Sequence, residues 1–194
     1  GLEVFHASAI EIGGGAVLLA GGSGLGKSTL ALNMHLGGSG FLADDSVAIE
    51  LAGERLLAHA AIATAKVRAG ARALLRDDVR GALREVVVAD EHETRYRVEP
   101  AREPLPLRAV CMLEPGAEPG TLAAGEGRLD PWELLGSTFN DAVRDPARLR
   151  GQLDLCGRIA EEVACLRVRV GPRPGPEAAD ALAAQLGRPV QRPG

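Results

Sequence analysis

An α/β sandwich is the fold this sequence predicts, and three observations carry the prediction. Short apolar runs of strand length crowd the first half of the chain, while the clearest helical patterns, residues 146–164 and 176–186, lie near its end. An apolar run at residues 16–20 passes straight into a glycine-rich turn and then into a helical pattern. Hydrophobic residues make up 46% of the 194 residues but aromatics only 3%, so the core must be built from Ala, Leu and Val.

The elements follow in order. Residues 2–5 and 7–12 read as extended, and Gly13-Gly14-Gly15 turns the chain into the strand at 16–20, a hairpin feeding the glycine loop. Leu30, Ala31, Met34 and Leu36 give residues 28–36 an apolar helical face, closed by Gly37-Gly38. Phe41-Leu42-Ala43 is a short strand ending in Asp44-Asp45, and residues 47–51 are extended again. Residues 58–65 are small and apolar and suit a helix or a buried strand equally. Residues 69–83 suggest a helix, with Arg68, Arg72, Arg76, Arg80 and Arg84 spaced four apart on one face, although Gly70 and Gly81 weaken it. Residues 84–89 and 94–98 suggest a hairpin, and 100–106 a break. Residues 107–113 form a strand before a loop at 114–127 rich in Gly, Pro and Glu. Helices at 131–139 and 146–164 each open on Asp-Pro, with Asp130 and Asp145 as N-caps. A strand at 165–170 and an Ala-rich helix at 176–186 complete a single domain, residues 1–190, with 191–194 as a tail.

Composition narrows the function classes. The net charge is −4 and no basic run stands out, so a sequence-independent nucleic-acid binder is not expected. No stretch approaches the length of a membrane span, and no secretion signal opens the chain. It begins at Gly1 without Met, which leaves room for a preceding segment. Cys111, Cys156 and Cys165 are odd in number and lack Cys-x-x-Cys spacing. Reduced thiols in the cytoplasm are expected, not a disulfide frame or a zinc site.

Gly21-Gly22-Ser23-Gly24-Leu25-Gly26-Lys27-Ser28 matches the phosphate-binding pattern G-x-x-x-x-G-K-S. Glycines let successive N–H groups turn inward on an anion, and the helix that follows adds its positive end. Lys27 would reach the β and γ phosphates of ATP, and the Ser28 hydroxyl would ligate Mg²⁺, with Thr29 in the first helical turn beside them. The competing reading is a flexible turn before a helix. The strand–loop–helix order argues against it. Asp44-Asp45 ends a strand where a Mg²⁺ nucleotide needs carboxylates: one to hold the metal, assigned to Asp45, and one to take a proton from a hydroxyl. On its own the pair reads equally well as a polar turn between strands.

His6-Ala7-Ser8-Ala9-Ile10-Glu11-Ile12, the loop, and Leu42-Ala43-Asp44-Asp45-Ser46-Val47 together resemble the catalytic domain of HPr kinase/phosphorylase and smaller bacterial HPr-kinase-like proteins. The resemblance covers about the first quarter of the chain. It implies a P-loop fold related to phosphoenolpyruvate carboxykinase, a mixed sheet with flanking helices. It implies ATP-dependent phosphorylation of a hydroxyl on a peptide, protein or small molecule. The Asp pair would supply base and metal contact, His6 would lie near the transferred phosphate, and copies of the chain would be able to assemble. From spacing alone His6 is more simply a packed or surface histidine. The family's later Gly-Arg-Asn signature is missing. Its nearest fragment, Gly157-Arg158-Ile159, falls in an expected helix, so HPr itself and the reverse reaction lie beyond what the motifs carry.

Two further readings stay open at this level. Arg68, Arg72 and Arg76 could clamp phosphate oxygens, or could form a solvated face paired with Asp77, Asp78 and Glu85. The chain could also be a nucleotide-gated binding module with little transfer, or a relative that binds phosphate only. A guanine-reading Asn-Lys-x-Asp is missing.

Overall fold

The computed structural model describes residues 1–61, 64–76, 83, 86–101, 104–116, 118–139 and 145–187. The expected tail, Arg80, Arg84, and Asp77, Asp78 and Glu85, the partners suggested for Arg68, Arg72 and Arg76, lie outside the described residues.

The central strand is β3 (Gly15–Gly21), which ends in the glycine loop. Its alternate residues serve two cores. Ala16, Leu18 and Ala20 face one cluster, Val17 and Leu19 the other. A strand buried on both faces needs an unbroken apolar run, as the sequence shows. On one side β3 pairs in parallel with β10 (Leu105–Pro115), itself parallel to β12 (Ala164–Val170). On the other side it pairs antiparallel with β2 (Ser8–Ile12), and β2 with β4 (Gly40–Ala43). The sheet is therefore mixed. β2 and β3 form a hairpin whose two turn residues, Gly13 and Gly14, have φ of 60° and 75°, the left-handed pair a tight hairpin requires. The start of β10 also pairs with β6 (Arg55–His59), which joins β5 (Val47–Ala52) and β1 (Leu2–Phe5) to the sheet.

Helix α1 (Lys27–Leu36) and α4 (Pro176–Leu186) cover one face, burying Leu30, Met34, Ala179 and Leu182 against Val17, Leu19 and Cys111. Helices α2 (Pro131–Leu135) and α3 (Pro146–Glu162) cover the other through Leu134, Leu155 and Ile159. Asp130 and Asp145 cap them as expected, accepting from Trp132 N at 2.9 Å and Ala147 N at 3.0 Å. A separate small sheet, β7 (Thr64–Arg68), β9 (Glu93–Arg97) and β8 (Val86–Ala89), packs Ala65, Val67 and Tyr96 against Leu32 and Phe41.

Several expectations are corrected. The segment 58–65 is neither one helix nor one strand: it ends β6 and starts β7. Arg68 is extended, and among the described residues of 69–83 only Ala69–Leu74 winds, as a 3-10 helix, so Arg68, Arg72 and Arg76 share no α-helical face. The loop expected at 114–127 contains β11 (Leu122–Glu126), an edge strand antiparallel to β12. The helix expected through residue 139 stops at Leu135, where Gly136 follows.

Candidate active site

The sheet's directions assemble the site. β3 and β4 both run antiparallel to β2, so their C-terminal ends and the start of β2 lie on the same edge. That edge carries the glycine loop after β3, Asp44-Asp45 after β4, and His6 and Ser8 around the start of β2. The small sheet adds β7 beside them. A cavity of about 410 Å³ opens there, lined by His6, Ser23, Gly24, Gly26, Lys27, Ser28, Thr29, Asp45, Lys66, Arg68, Arg173 and neighbours. Of the expected loop residues, Gly21, Gly22 and Leu25 do not line it, and neither does Asp44.

Gly26 has φ 88° at the N-terminal end of α1, and a Cβ there would meet Pro174 Cγ at 2.5 Å. Only glycine suits both the left-handed backbone and the close approach. The first amide of the helix to find a carbonyl is that of Leu30, on Gly26 O at 2.8 Å. The amides of Lys27, Ser28 and Thr29 therefore start the helix without intrahelical acceptors, a site suited to an anion. Lys27 is 7% exposed, and its Nζ donates to the carbonyls of Gly21 at 2.8 Å and Gly22 at 3.1 Å. Burial holds its ammonium below the ordinary lysine range, against the pull of Asp45 and Asp44.

The two carboxylates differ. Asp44 is clamped: its Oδ1 accepts from the fully buried Ser8 Oγ at 2.7 Å and its Oδ2 from the Lys66 main-chain N–H at 2.8 Å. Asp45 faces the cavity with φ 70°, a left-handed conformation that a short polar side chain tolerates. Lys66 Nζ donates to its Oδ2 at 3.1 Å, and His6 Nδ1 stands 3.7 Å from its Oδ1. Burial works to raise the Asp45 carboxyl. The Lys66 hydrogen bond and charge outweigh it, with His6 and Arg95 adding, and hold it below the usual carboxylate range.

His6 is fixed from both sides. Its main-chain N–H donates to Ser137 O at 2.6 Å, and its ring meets Phe139 edge to face at 5.8 Å. Nδ1 lies 3.1 Å from the Asp45 carbonyl oxygen. A carbonyl only accepts, so this contact puts a ring proton on Nδ1 and leaves Nε2 of a neutral ring as an acceptor.

Of the described members of the arginine series, only Arg68 is at the cavity, with its guanidinium 3.3 Å from Ser23 Oγ. Arg76 turns away: it donates to Asn33 O at 3.2 Å and pairs with Asp180 of α4. Arg72 is exposed and does not line the cavity. Sequence reasoning missed Ser8, Lys66 and Arg173. The signal for Lys66 was the alternation Ala65 and Val67 in, Lys66 and Arg68 out, which marks a half-buried strand.

The set suits a polyphosphate with a divalent cation. Helix-start amides and Lys27, Lys66, Arg68 and Arg173 complement the phosphate charge, while Ser28 and Asp45 offer hard oxygens to a cation. Among the described residues no three His, Cys, Asp or Glu side chains form a metal cage. A cation in this cavity would complete its shell with phosphate oxygens and water, the usual habit of Mg²⁺.

Among known proteins, no family model matches the chain. Part of it is similar to HPr kinase/phosphorylase of Chlorobium limicola, 46% identical over 58 residues, 30% of this chain and 18% of that protein. The same protein of Pelodictyon phaeoclathratiforme is 45% identical over 58 residues, again 30% and 18%. That of Chlorobaculum tepidum is 48% identical over 52 residues, 27% and 15%. The aligned stretch thus spans less than a fifth of these relatives' own length. The Hpr(Ser) kinase/phosphatase of Coxiella burnetii superposes with a TM-score of 0.47 at 13% identity, over 94% of this chain and 87% of that one.

Proposed function

We propose that residues 1–190 form one phosphotransferase domain that moves the γ-phosphoryl group of ATP to a serine-type hydroxyl on a peptide, protein or small molecule. The observation that carries this reading is the convergence, on one cavity, of the loop's Lys27 and Ser28 with the carboxylate of Asp45. Similarity to proteins named HPr kinase/phosphorylase supports the same direction.

In this proposal the amides of residues 24–29 hold the phosphate chain, and Lys27 leaves the Gly21 and Gly22 carbonyls for the β and γ phosphates. Ser28 and Asp45 hold Mg²⁺, which when bound shields phosphate charge. Arg68 and Arg173 approach from outside the loop. The acceptor hydroxyl comes in on the carboxylate side, where Asp44 takes its proton. Each Asp44 oxygen already accepts one bond, which locks the carboxylate and still leaves lone pairs on it. The oxygen–phosphorus bond to ADP breaks as the bond to the acceptor oxygen forms. A loose transition state of this kind asks mainly for positioning and charge neutralisation. His6 orients the Asp45 turn through its contact with the Asp45 carbonyl.

The three cysteines are free and buried, which suits a reducing compartment, and we place the protein in the cytoplasm. No helix among the described residues is long and apolar enough to cross a membrane. The test is ADP formation by purified protein with Mg²⁺·ATP and a panel of hydroxyl substrates. Acceptor-dependent ADP that vanishes in Lys27→Ala supports the transferase. ATP binding with ADP at background on every acceptor would make the protein a nucleotide-gated binding module instead.

A further inference from the structure

Lys66 stands apart from the other cations of the cavity. Like Arg68 it lies on β7, outside the glycine loop, but it bridges the carboxylate pair: its main-chain N–H donates to Asp44 at 2.8 Å and its Nζ to Asp45 at 3.1 Å. Glu93 of β9 is its other acidic neighbour, with Oε2 3.9 Å from Nζ. The main-chain bond anchors the strand, so the side chain can swing without loss of the Asp44 contact. The stem of a lysine is long and flexible and carries three donors. Asp45 is the carboxylate that the proposed function gives to the metal. An ammonium hydrogen-bonded to Asp45 Oδ2 and a divalent cation on the same carboxylate repel each other across a few ångströms. The same cavity offers the ammonium another anion, the phosphate chain.

We propose that Lys66 is an exchangeable counter-ion. It competes with the divalent cation for Asp45, and when the cation takes that carboxylate it turns to the phosphate oxygens of the bound nucleotide. This rests on the nucleotide reading above and adds a residue to it. Two consequences follow. Lys66 weakens the hold of the site on Mg²⁺, because the metal must displace it. Lys66 also strengthens binding of metal-free nucleotide, because it supplies a positive charge that the metal otherwise brings.

The experiment is calorimetric titration of ATP in EDTA and across a Mg²⁺ series, with wild type, Lys66→Gln and Lys66→Arg. Lys66→Gln is expected to lose about tenfold in ATP affinity in EDTA, the size of one charge-assisted hydrogen bond. Its half-saturating Mg²⁺ concentration should fall severalfold. Lys66→Arg should keep the EDTA affinity, since a guanidinium also binds phosphate. Lys66→Met, which keeps much of the stem without the charge, repeats the measurement if Gln unfolds the protein. Variants within about twofold of wild type in both quantities, well short of a charge-assisted bond, would overturn the role of Lys66 and leave the nucleotide reading standing. No ATP binding by the wild type in either condition overturns both.

Discussion

Replacing Asp44 separates two jobs that one carboxylate holds together. Asp44 accepts from Ser8 Oγ at 2.7 Å and from Lys66 N at 2.8 Å, and Ser8 is fully buried. Asp44→Ala removes both acceptors. A hydrogen bond to a charged group contributes about 1.5–3 kcal/mol. Because Asp44 is only partly buried, the low end applies to each bond, about 3 kcal/mol for the two. For a chain of this size that is a fall in Tm of roughly 6–12 °C. Asp44→Asn is gentler. Its carbonyl oxygen can keep the Lys66 amide, and the Ser8 hydroxyl can rotate to accept from the new NH₂. Only the charge assistance is lost, about 1 kcal/mol, or roughly 2–4 °C. Asn, however, cannot take a proton, so acceptor-dependent ADP formation should fall about a hundredfold or more. The assay is a thermal melt and a turnover measurement on the same preparations, with ATP binding as a control. A Tm near wild type together with turnover within a few-fold of wild type in Asp44→Asn would rule out Asp44 as the proton acceptor. Asp44 would then be only the clasp between β2, β4 and β7.

Three other outcomes are expected. Gly26→Ala forces a side chain into φ 88° and against Pro174 Cγ. The backbone strain alone is roughly 1–2 kcal/mol, so the loop should shift and calorimetric ATP affinity fall while the core stays folded; unchanged affinity would contradict the close approach. Asp45 titrates below its ordinary value in the folded protein, so its pairing contributes stability that is complete above the ordinary carboxylate pKa of about 4 and is lost as pH falls through the lowered folded value. The Tm gap between wild type and Asp45→Asn should thus hold steady near neutrality and close on acidification; a gap independent of pH would count against the Lys66 pairing. Burial pushes the Cys156 thiol up to about 12 and Cys165 up to about 11, and raises Cys111 further, so none should react with a disulfide reagent near about pH 8 until the protein is unfolded. Rapid labelling of the folded chain would show that the cysteines are less buried than the fold places them.

What the sequence made legible was local. The loop reads as itself because strand, glycines and helix are contiguous, and the Gly13-Gly14 turn and the Asp-Pro caps are signals a few residues long. The mixed sheet, which the family resemblance implied and the strand pairings bear out, and the meeting of His6 with Asp45 rest on pairings between distant strands, which no short window contains. The small sheet was legible in part: the hairpin expected at 84–89 and 94–98 corresponds to β8 and β9, but β7 pairs with β9 across residues 69–92, and its Thr-Ala-Lys-Val-Arg alternation is short beside the arginine spacing that suggested a helix. For the three described arginines that spacing was coincidental in structure. Arg68 ends a strand, Arg72 sits in a 3-10 turn near the helix-breaking Gly70, and Arg76 is drawn to Asn33 and Asp180. β11 was hidden by composition. Leu-Ala-Ala-Gly-Glu has little strand propensity of its own and forms as an edge on β12. Asp44 and Asp45 looked interchangeable in sequence. They divide because one carboxylate meets Ser8 and a main-chain amide, and the other a lysine across the cavity.

Phosphoryl transfer is tested most directly by following the phosphorus itself. ATP labelled at the γ position is incubated with wild-type protein, Mg²⁺, and a peptide library or cell extract, and the labelled product is identified, with Lys27→Ala run alongside. An acid-stable phosphate ester on a hydroxyl is expected with wild type and not with Lys27→Ala. Label that appears only as inorganic phosphate, or equal labelling by both proteins, would contradict it.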